Sequence, residues 1–239
     1  MTTKKILITN DDGINSDGLI RLAKSAKKFW EVWVVAPDSQ RSAMSHSITL
    51  RDSIDVFPVD FPVDGVHGYK CTGTPSDCVR IGVLNIVPEK PDVLLSGINY
   101  GYNSASDIQY SATVGAAFEG AFQGIHSIAL SEGASECHDV TDFYLDYILS
   151  ELINETLESN MIWNVNFPDC KIDNCNGILR NRIVSSGGFY IDRYLVENLD
   201  CNGLRFKVNG IYNENADDKS DFKAIVDNYI SISKLRNIL

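Results

Sequence analysis

Two adjacent carboxylates, Asp11 and Asp12, end the apolar run Ile6-Leu7-Ile8 and are followed at once by Gly13, in the stretch KKILITNDDG. An ionised carboxylate only accepts hydrogen bonds, so holding two side by side costs free energy unless a cation, a donor network or bulk water answers them. A hard divalent metal is the simplest answer, and a solvated Asp-rich turn is the bland one. In open α/β sheets ligands bind at the carboxyl ends of the strands, which is where this pair lies.

Three more loops carry oxygen and nitrogen side chains suited to a phosphate and a hard metal. APDSQRSAMSHS offers Ser39, Arg41, Ser42 and Ser45, and SGINYGYN offers Asn99 and Asn103. Ser111-Ala112-Thr113 stands at a helix start, where unpaired backbone N–H groups and the helix dipole make an anion site. Two carboxylates with neutral Ser and Asn oxygens suit the all-oxygen octahedral shell of magnesium or manganese, with positions left for water and a substrate phosphate. Such a metal polarises a phosphoryl oxygen and activates a water for in-line attack, while a spare aspartate oxygen takes the proton. Two rival chemistries fail on spacing. An aspartyl-nucleophile phosphatase needs a second acid two positions on, where this chain has Gly13 or Ile14, and a dinucleotide site needs G-x-G-x-x-G, where it has N-D-D-G-I-N.

The elements that position these loops alternate between strand and helix. Ile6–Thr9, Val32–Ala36, Asp92–Ser96, Ser127–Ser131 and Met161–Val165 read as buried strands. Between them Ser16 is expected to cap a helix with Leu19, Leu22, Ala23 and Ala26 inward. Thr74-Pro75-Ser76-Asp77 starts a helix running to about Asn85, another begins near Ala112, and Asp139–Glu158 is amphipathic with Phe143, Tyr147, Ile148 and Leu152 inward. This rhythm predicts an α/β fold, a doubly wound, mostly parallel sheet. Residues 1–168 form the core, with a hairpin excursion at about 47–71. Residues 169–239 change texture, with β-like pieces at Leu204–Tyr212, a short helix from about Asp221 and the run YISIS, and read as a C-terminal β/α arm that docks on a partner subunit.

At 239 residues, 44% of them hydrophobic, the chain has ample material for one large core. A net charge of −11 disfavours a nucleic-acid polymer as partner, because such binding rests on Lys and Arg neutralising phosphates. No signal-like leader or membrane-spanning run is read, and the six cysteines lack a C-x-x-C pair, so a cytoplasmic protein without a membrane partner is expected. A zinc site on Cys137, His138, Cys170 and Cys175 lacks the regular spacing of structural zinc.

The motifs NDDGINSDG, APDSQRSAMSHSITL, GTPSDCV, SGINYGYN, YSATVGAAFEG, NVNFP and YISIS, in that order, resemble those of the SurE survival-protein family of metal-dependent nucleotidases, from Ile6 to about Leu235. The resemblance implies hydrolysis of nucleoside 5′-monophosphates, and also 3′-monophosphates, to nucleoside and phosphate, with one divalent metal per subunit; the C-terminal arm points to a homodimer or homotetramer. It assigns the metal to Asp11, Asp12, Ser42 and Asn99, with the two aspartates catalytic, and the phosphate to Asn103, Ser111 and Thr113. The chain departs from the family at Ala112 and Ala43, where glycine is usual, and at Ser233-Lys234-Leu235. A nucleotide-sensing module without turnover and a broad acid phosphatase are the alternatives. Arg41 is a further candidate phosphate contact and His46 a candidate substrate contact, each set against a solvated or packing role. Tyr100, Tyr102 and Tyr110 surround the third and fourth loops and are read first as packing residues.

Overall fold

The computed structural model describes residues 4–188, 190–213 and 215–237. Strand β1 (Lys5–Thr9), helix α1 (Asp17–Ala26) and strand β2 (Glu31–Pro37) form the expected βαβ unit. They are followed by β3 (Val56–Val59), β4 (His67–Cys71), α2 (Pro75–Ile81), β5 (Val93–Tyr100), α3 (Ala112–Phe122), β6 (His126–Glu132), α4 (Asp139–Leu152) and β7 (Met161–Phe167). The last part holds β8 (Ile178–Arg180), β9 (Tyr190–Ile191), β10 (Tyr194–Asn198), β11 (Leu204–Val208), β12 (Ile211–Tyr212), α5 (Asp221–Val226) and β13 (Ile230–Arg236).

Nine strands make the main sheet in the order β3-β4-β2-β1-β5-β6-β7-β13-β8. Strands β4, β2, β1, β5, β6 and β7 run parallel, whereas β3 pairs antiparallel with β4 and β13 antiparallel with β7. The chain is thus a doubly wound, mostly parallel α/β protein. Both faces of the sheet are covered, which is why its strands are apolar at consecutive positions. Ile6, Ile8, Val32, Val34, Val93 and Leu95 pack into one core with α1 and α4, while the alternate residues Leu7, Val35 and Leu94 pack into a second one with α2 and Ala116 of α3.

From β1 the chain proceeds outward to β2 on one side, and β5 lies on the other. The gap between the carboxyl ends of β1 and β5 is therefore the topological switch point, the crevice where open α/β sheets hold ligands. Asp11 and Asp12 leave β1 there, and Asn99 lies at the end of β5.

Several sequence expectations change. The 47–71 excursion supplies the hairpin β3–β4, which extends the main sheet through the β2–β4 pairing. Helix α4 stops at Leu152, and Phe143 and Tyr147 are 67% and 56% exposed. Its buried stripe is Val140, Thr141, Leu145, Ile148, Leu149 and Leu152; at 3.6 residues per turn Phe143 and Tyr147 share the opposite side. Residues 169–239 divide in two. β8 and β13 are strands of the main sheet, with Ile230 and Ile232 fully buried, because the alternation of YISIS matches a strand lying on β7. Only β9 to β12 stand apart, in two small two-stranded sheets.

Candidate active site

The turn after β1 is shaped by Asn10, fully buried. Its side-chain amide donates to the Gly13 carbonyl at 3.0 Å and to Ser16 Oγ at 2.6 Å, and its Oδ1 accepts from the Gly13 amide at 3.2 Å. Ser16, expected to cap α1 through its side chain, makes no capping bond and serves this turn instead. The result aims two successive aspartates differently. Asp11 is 3% exposed and Asp12 is half-buried.

Asp11 faces the start of α3. Its Oδ1 accepts from Thr113 Oγ1 at 2.6 Å, and its backbone carbonyl accepts from the Arg41 amide at 2.7 Å. Burial pushes the Asp11 carboxyl up to about 6, with the Asp12 charge adding to the rise and Thr113 opposing it. Asp12 faces the end of β5, where Oδ2 accepts from the Tyr100 amide at 3.0 Å. Its pKa is also raised, by burial first and by the Glu132 charge, against the donors Tyr100 and Gln40.

Ser42 joins Asp12 through Gln40, whose side-chain nitrogen lies 3.5 Å from Asp12 Oδ1 and donates to Ser42 Oγ at 3.0 Å. The loop carrying Ser42 is bent sharply, with Ala43 at φ +58° and Ser45 at φ +54°. It is pinned to α3 by Ser45, whose amide donates to the Tyr110 carbonyl at 3.0 Å, and by close approach to Gly115, where a Cβ would lie 2.5 Å from the Ser45 carbonyl oxygen. Asn99 donates from Nδ2 to the Gly101 carbonyl at 2.6 Å, which leaves its Oδ1 as the atom able to ligate. The β5 end reaches this position through a register shift between Ser96 and Asn99. Gly97, at φ +140°, is required there because a Cβ would meet the Leu130 carbonyl oxygen at 2.2 Å.

The three residues assigned to phosphate have other partners. Thr113, fully buried, spends its hydroxyl on Asp11. Asn103 is 6% exposed; its side-chain amide donates to Ser131 Oγ at 2.7 Å, and its backbone bonds to Asn164 and Asn166, so it anchors the loop after β5 to β6 and β7. Ser111 is the N-cap of α3, its Oγ accepting from the Val114 amide at 3.0 Å. Arg41 turns to Asp38 at 3.2 Å and the Thr72 carbonyl at 3.1 Å. His46 bonds to Glu119 at 2.9 Å and stacks on Phe122, so it packs on α3. Tyr102 bonds to Asp169, whereas Tyr100 and Tyr110 are exposed.

Gln40, the turn-forming role of Asn10 and the Thr113–Asp11 link escaped sequence reading. Asn10 was legible in principle, since an Asn before an Asp-Asp-Gly turn is a side-chain turn former. The other two depend on chain-distant neighbours and left no local trace.

A hard divalent cation fits this donor set. Two partly or fully buried carboxylates stand side by side at a sheet switch point, and among the described residues neither forms an ion pair with a Lys, Arg or His. The neutral oxygens of Ser42 and Asn99 stand on the two flanking loops. Among the described residues no three His, Cys, Asp or Glu side chains group to hold a metal, so a cation beside Asp11 and Asp12 would also draw on neutral oxygens such as these.

The family model described as survival protein SurE matches residues 6–186 of this chain. The chain belongs to the SurE family. Among its relatives, a 5'-nucleotidase SurE of Thermosipho africanus is 37% identical over 235 residues, covering 96% of this chain and 90% of that protein. Another 5'-nucleotidase SurE, of a Thermoanaerobacter species (strain X514), is 38% identical over 238 residues, covering 97% and 91%. The crystal structure of the SurE protein from Aquifex aeolicus superimposes with a TM-score of 0.84 at 31% identity, covering 97% of this chain and 93% of that one. The SurE likeness thus extends beyond residue 186, where the match to the family model ends.

Proposed function

We propose that this chain is a metal-dependent nucleotidase, hydrolysing nucleoside 5′-monophosphates, and also 3′-monophosphates, to nucleoside and phosphate. Its one magnesium or manganese ion per subunit is held by Asp11, Asp12, Ser42 and Asn99. The single observation that carries this is the Asp11–Asp12 pair, withdrawn from solvent at the switch point and, among the described residues, in no ion pair with a side-chain cation. The 5′ preference takes its support from relatives that bear the name 5'-nucleotidase.

When bound, such an ion supplies Lewis acidity for a phosphoryl oxygen and acidity for an attacking water. The chain does the rest. The start of α3 directs its N-terminal dipole at the same place as Asp11; the Asn103 amide and the Thr113 hydroxyl donate elsewhere, whereas the Ser111 hydroxyl accepts from Val114 and keeps its proton to donate, so the phosphate falls to Ser111 and the first-turn amide of Ala112. A carboxylate oxygen of the aspartate pair accepts the water proton as the new P–O bond forms and the ester P–O bond breaks. The nucleoside oxygen leaves and is protonated.

The hairpin β10–β11 supports a homodimer or homotetramer. Its register stacks Tyr194 on Val208 and Val196 on Phe206 on one face, while Glu197 and Arg205 pair at 3.1 Å on the other. The apolar face is uncovered, with Val196 and Phe206 each 58% exposed, and a second copy of the chain is its proposed cover. All six cysteines are unpaired, which suits a cytoplasmic place of work, and no helix among the described residues is long and apolar enough to cross a membrane.

Phosphate release from a panel of nucleoside 5′- and 3′-monophosphates, with and without thorough chelation, tests the assignment. Activity that needs added magnesium or manganese, and falls on the order of a thousandfold in Asp11→Asn, is expected. Turnover that survives metal removal would sink it, and tight nucleotide binding without phosphate release would point to a sensing module.

A further inference from the structure

A cavity of about 380 Å³ lies beside Asp12. Its wall is built at the ends of three neighbouring strands: Asp12 after β1, Tyr100 at the end of β5 and Glu132 at the end of β6, with Tyr100 and Glu132 paired across β5 and β6. Arg21 of α1 and His138 before α4 complete the lining around Glu132.

Glu132 is 3% exposed. Its Oε1 is held by the Arg21 guanidinium and lies 3.1 Å from His138 Nδ1. Its Oε2 is buried and has no hydrogen-bond partner among the described residues. A buried carboxylate oxygen without a donor is costly, and a carboxylate only accepts, so the fitting partner is a donor that enters the cavity. Arg21 already faces three carboxylates, with Nε on Asp17 at 2.6 Å, Nη1 on Asp142 at 3.0 Å and Nη2 on Glu132. With Asp12, Asp17, Glu132 and Glu136 in the wall around the Arg21 guanidinium, a second phosphoryl group is repelled. A neutral group rich in hydroxyls is favoured.

We propose that this cavity receives the sugar of the nucleotide, with Glu132 Oε2 accepting a hydrogen bond from a ribose hydroxyl. This rests on the nucleotidase assignment above. The ester oxygen joins phosphorus directly to the sugar, so a phosphate at the aspartate pair leaves the sugar next to Asp12, where the cavity begins. Carboxylates grip ribose hydroxyls in the same way in dinucleotide sites.

Two measurements on the full chain test this. In calorimetry with the metal present, adenosine is expected to bind about tenfold or more tightly than 2′,3′-dideoxyadenosine, the scale of one hydrogen bond to a charged acceptor. In kinetics, kcat/KM for adenosine 5′-monophosphate should exceed that for its dideoxy counterpart by a similar factor. Glu132→Gln should erase most of that preference, its loss on the ribonucleotide being at least about fivefold larger than on p-nitrophenyl phosphate. Equal treatment of the ribo and dideoxy ligands by the wild type would overturn the proposal. So would an equal loss on all three esters in Glu132→Gln, which is what a merely structural role would give. Should that variant not fold, Glu132→Asp keeps the charge facing Arg21 while shortening the reach, and the same loss of preference is expected. Hydroxyl-dependent nucleoside binding without any phosphate release would keep the pocket and defeat the nucleotidase assignment. Phosphate release without hydroxyl preference would do the reverse.

Discussion

Thr113, in the first turn of α3, donates its hydroxyl to Asp11 Oδ1 at 2.6 Å across 102 positions of the chain. This bond ties the turn after β1 to the helix that follows β5, the two sides of the switch-point crevice. It also holds one carboxylate oxygen in place and opposes the rise in its pKa that burial causes. Thr113 therefore acts on the proposed metal through Asp11.

Thr113→Val keeps the shape of the side chain and removes the donor. Metal affinity is expected to fall by about 10- to 100-fold, as for other groups that orient a metal ligand. The acid limb of the pH–rate profile should move to higher pH. A titration of magnesium or manganese by calorimetry, paired with that profile, checks both, and unchanged affinity would show that Asp11 is oriented without the bond.

The Asp11 carboxyl, pushed up to about 6, sets a pH dependence in the metal-free chain. A raised acid pKa means that the folded state binds the proton more tightly than the unfolded one. This group's contribution to stability is thus fully present below the ordinary carboxylate value near 3.8 and is lost as pH rises through about 6. Added metal must displace that proton. The rise in Tm on adding magnesium or manganese should be largest above about pH 7 and shrink below about 6, and a rise constant between about pH 5 and 8 would contradict this.

Ser42 depends on how its loop lies against α3. Gly115→Ala places a methyl 2.5 Å from the Ser45 carbonyl oxygen, and since both sides are backbone the loop must give way. Weaker metal binding with the fold retained is expected, read by metal titration and Tm. Ala43 at φ +58° makes the opposite case. Ala43→Gly should be neutral or stabilising by about 0.5 kcal/mol, relief of left-handed strain outweighing glycine's entropy, whereas a β-branched Ala43→Val should cost about 2 kcal/mol.

Phe206 lies opposite Val196 on the uncovered face of the β10–β11 hairpin. Phe206→Glu puts a charge on that face and should shift the assembly toward monomer in sedimentation velocity, with the main sheet intact by circular dichroism. A monomeric wild type would remove the proposed partner copy.

Local pattern made the core legible. Each of the β1, β2, β5, β6 and β7 runs was visible because a parallel strand buried on both faces is a short unbroken apolar stretch. The Thr74-Pro75-Ser76-Asp77 start was visible because a capping box is a property of four consecutive residues, and the structure forms it, Asp77 N to Thr74 Oγ1 at 3.1 Å and Thr74 N to Asp77 Oδ2 at 3.0 Å. Phe143 and Tyr147 face outward, not inward as expected, because helical phase sets them opposite the buried stripe. Residues 169–239 read as one arm because the run YISIS shows a strand but not its partner β7, which lies far away along the chain.

The chemistry divides in the same way. The sequence by itself determined which groups exist at the ends of the strands: a carboxylate pair, neutral oxygens on flanking loops and a small-residue helix start, and these depend on residue type and on strand periodicity alone. Tertiary structure decided what each group does. Hydrogen bonds between distant segments set Thr113 on Asp11 and Asn103 on Ser131, and among the described residues they leave one Glu132 oxygen unpartnered in the cavity wall that Asp12 shares. Such bonds form only after the sheet has brought the β1, β5, β6 and β7 ends together, so no local spacing encodes them.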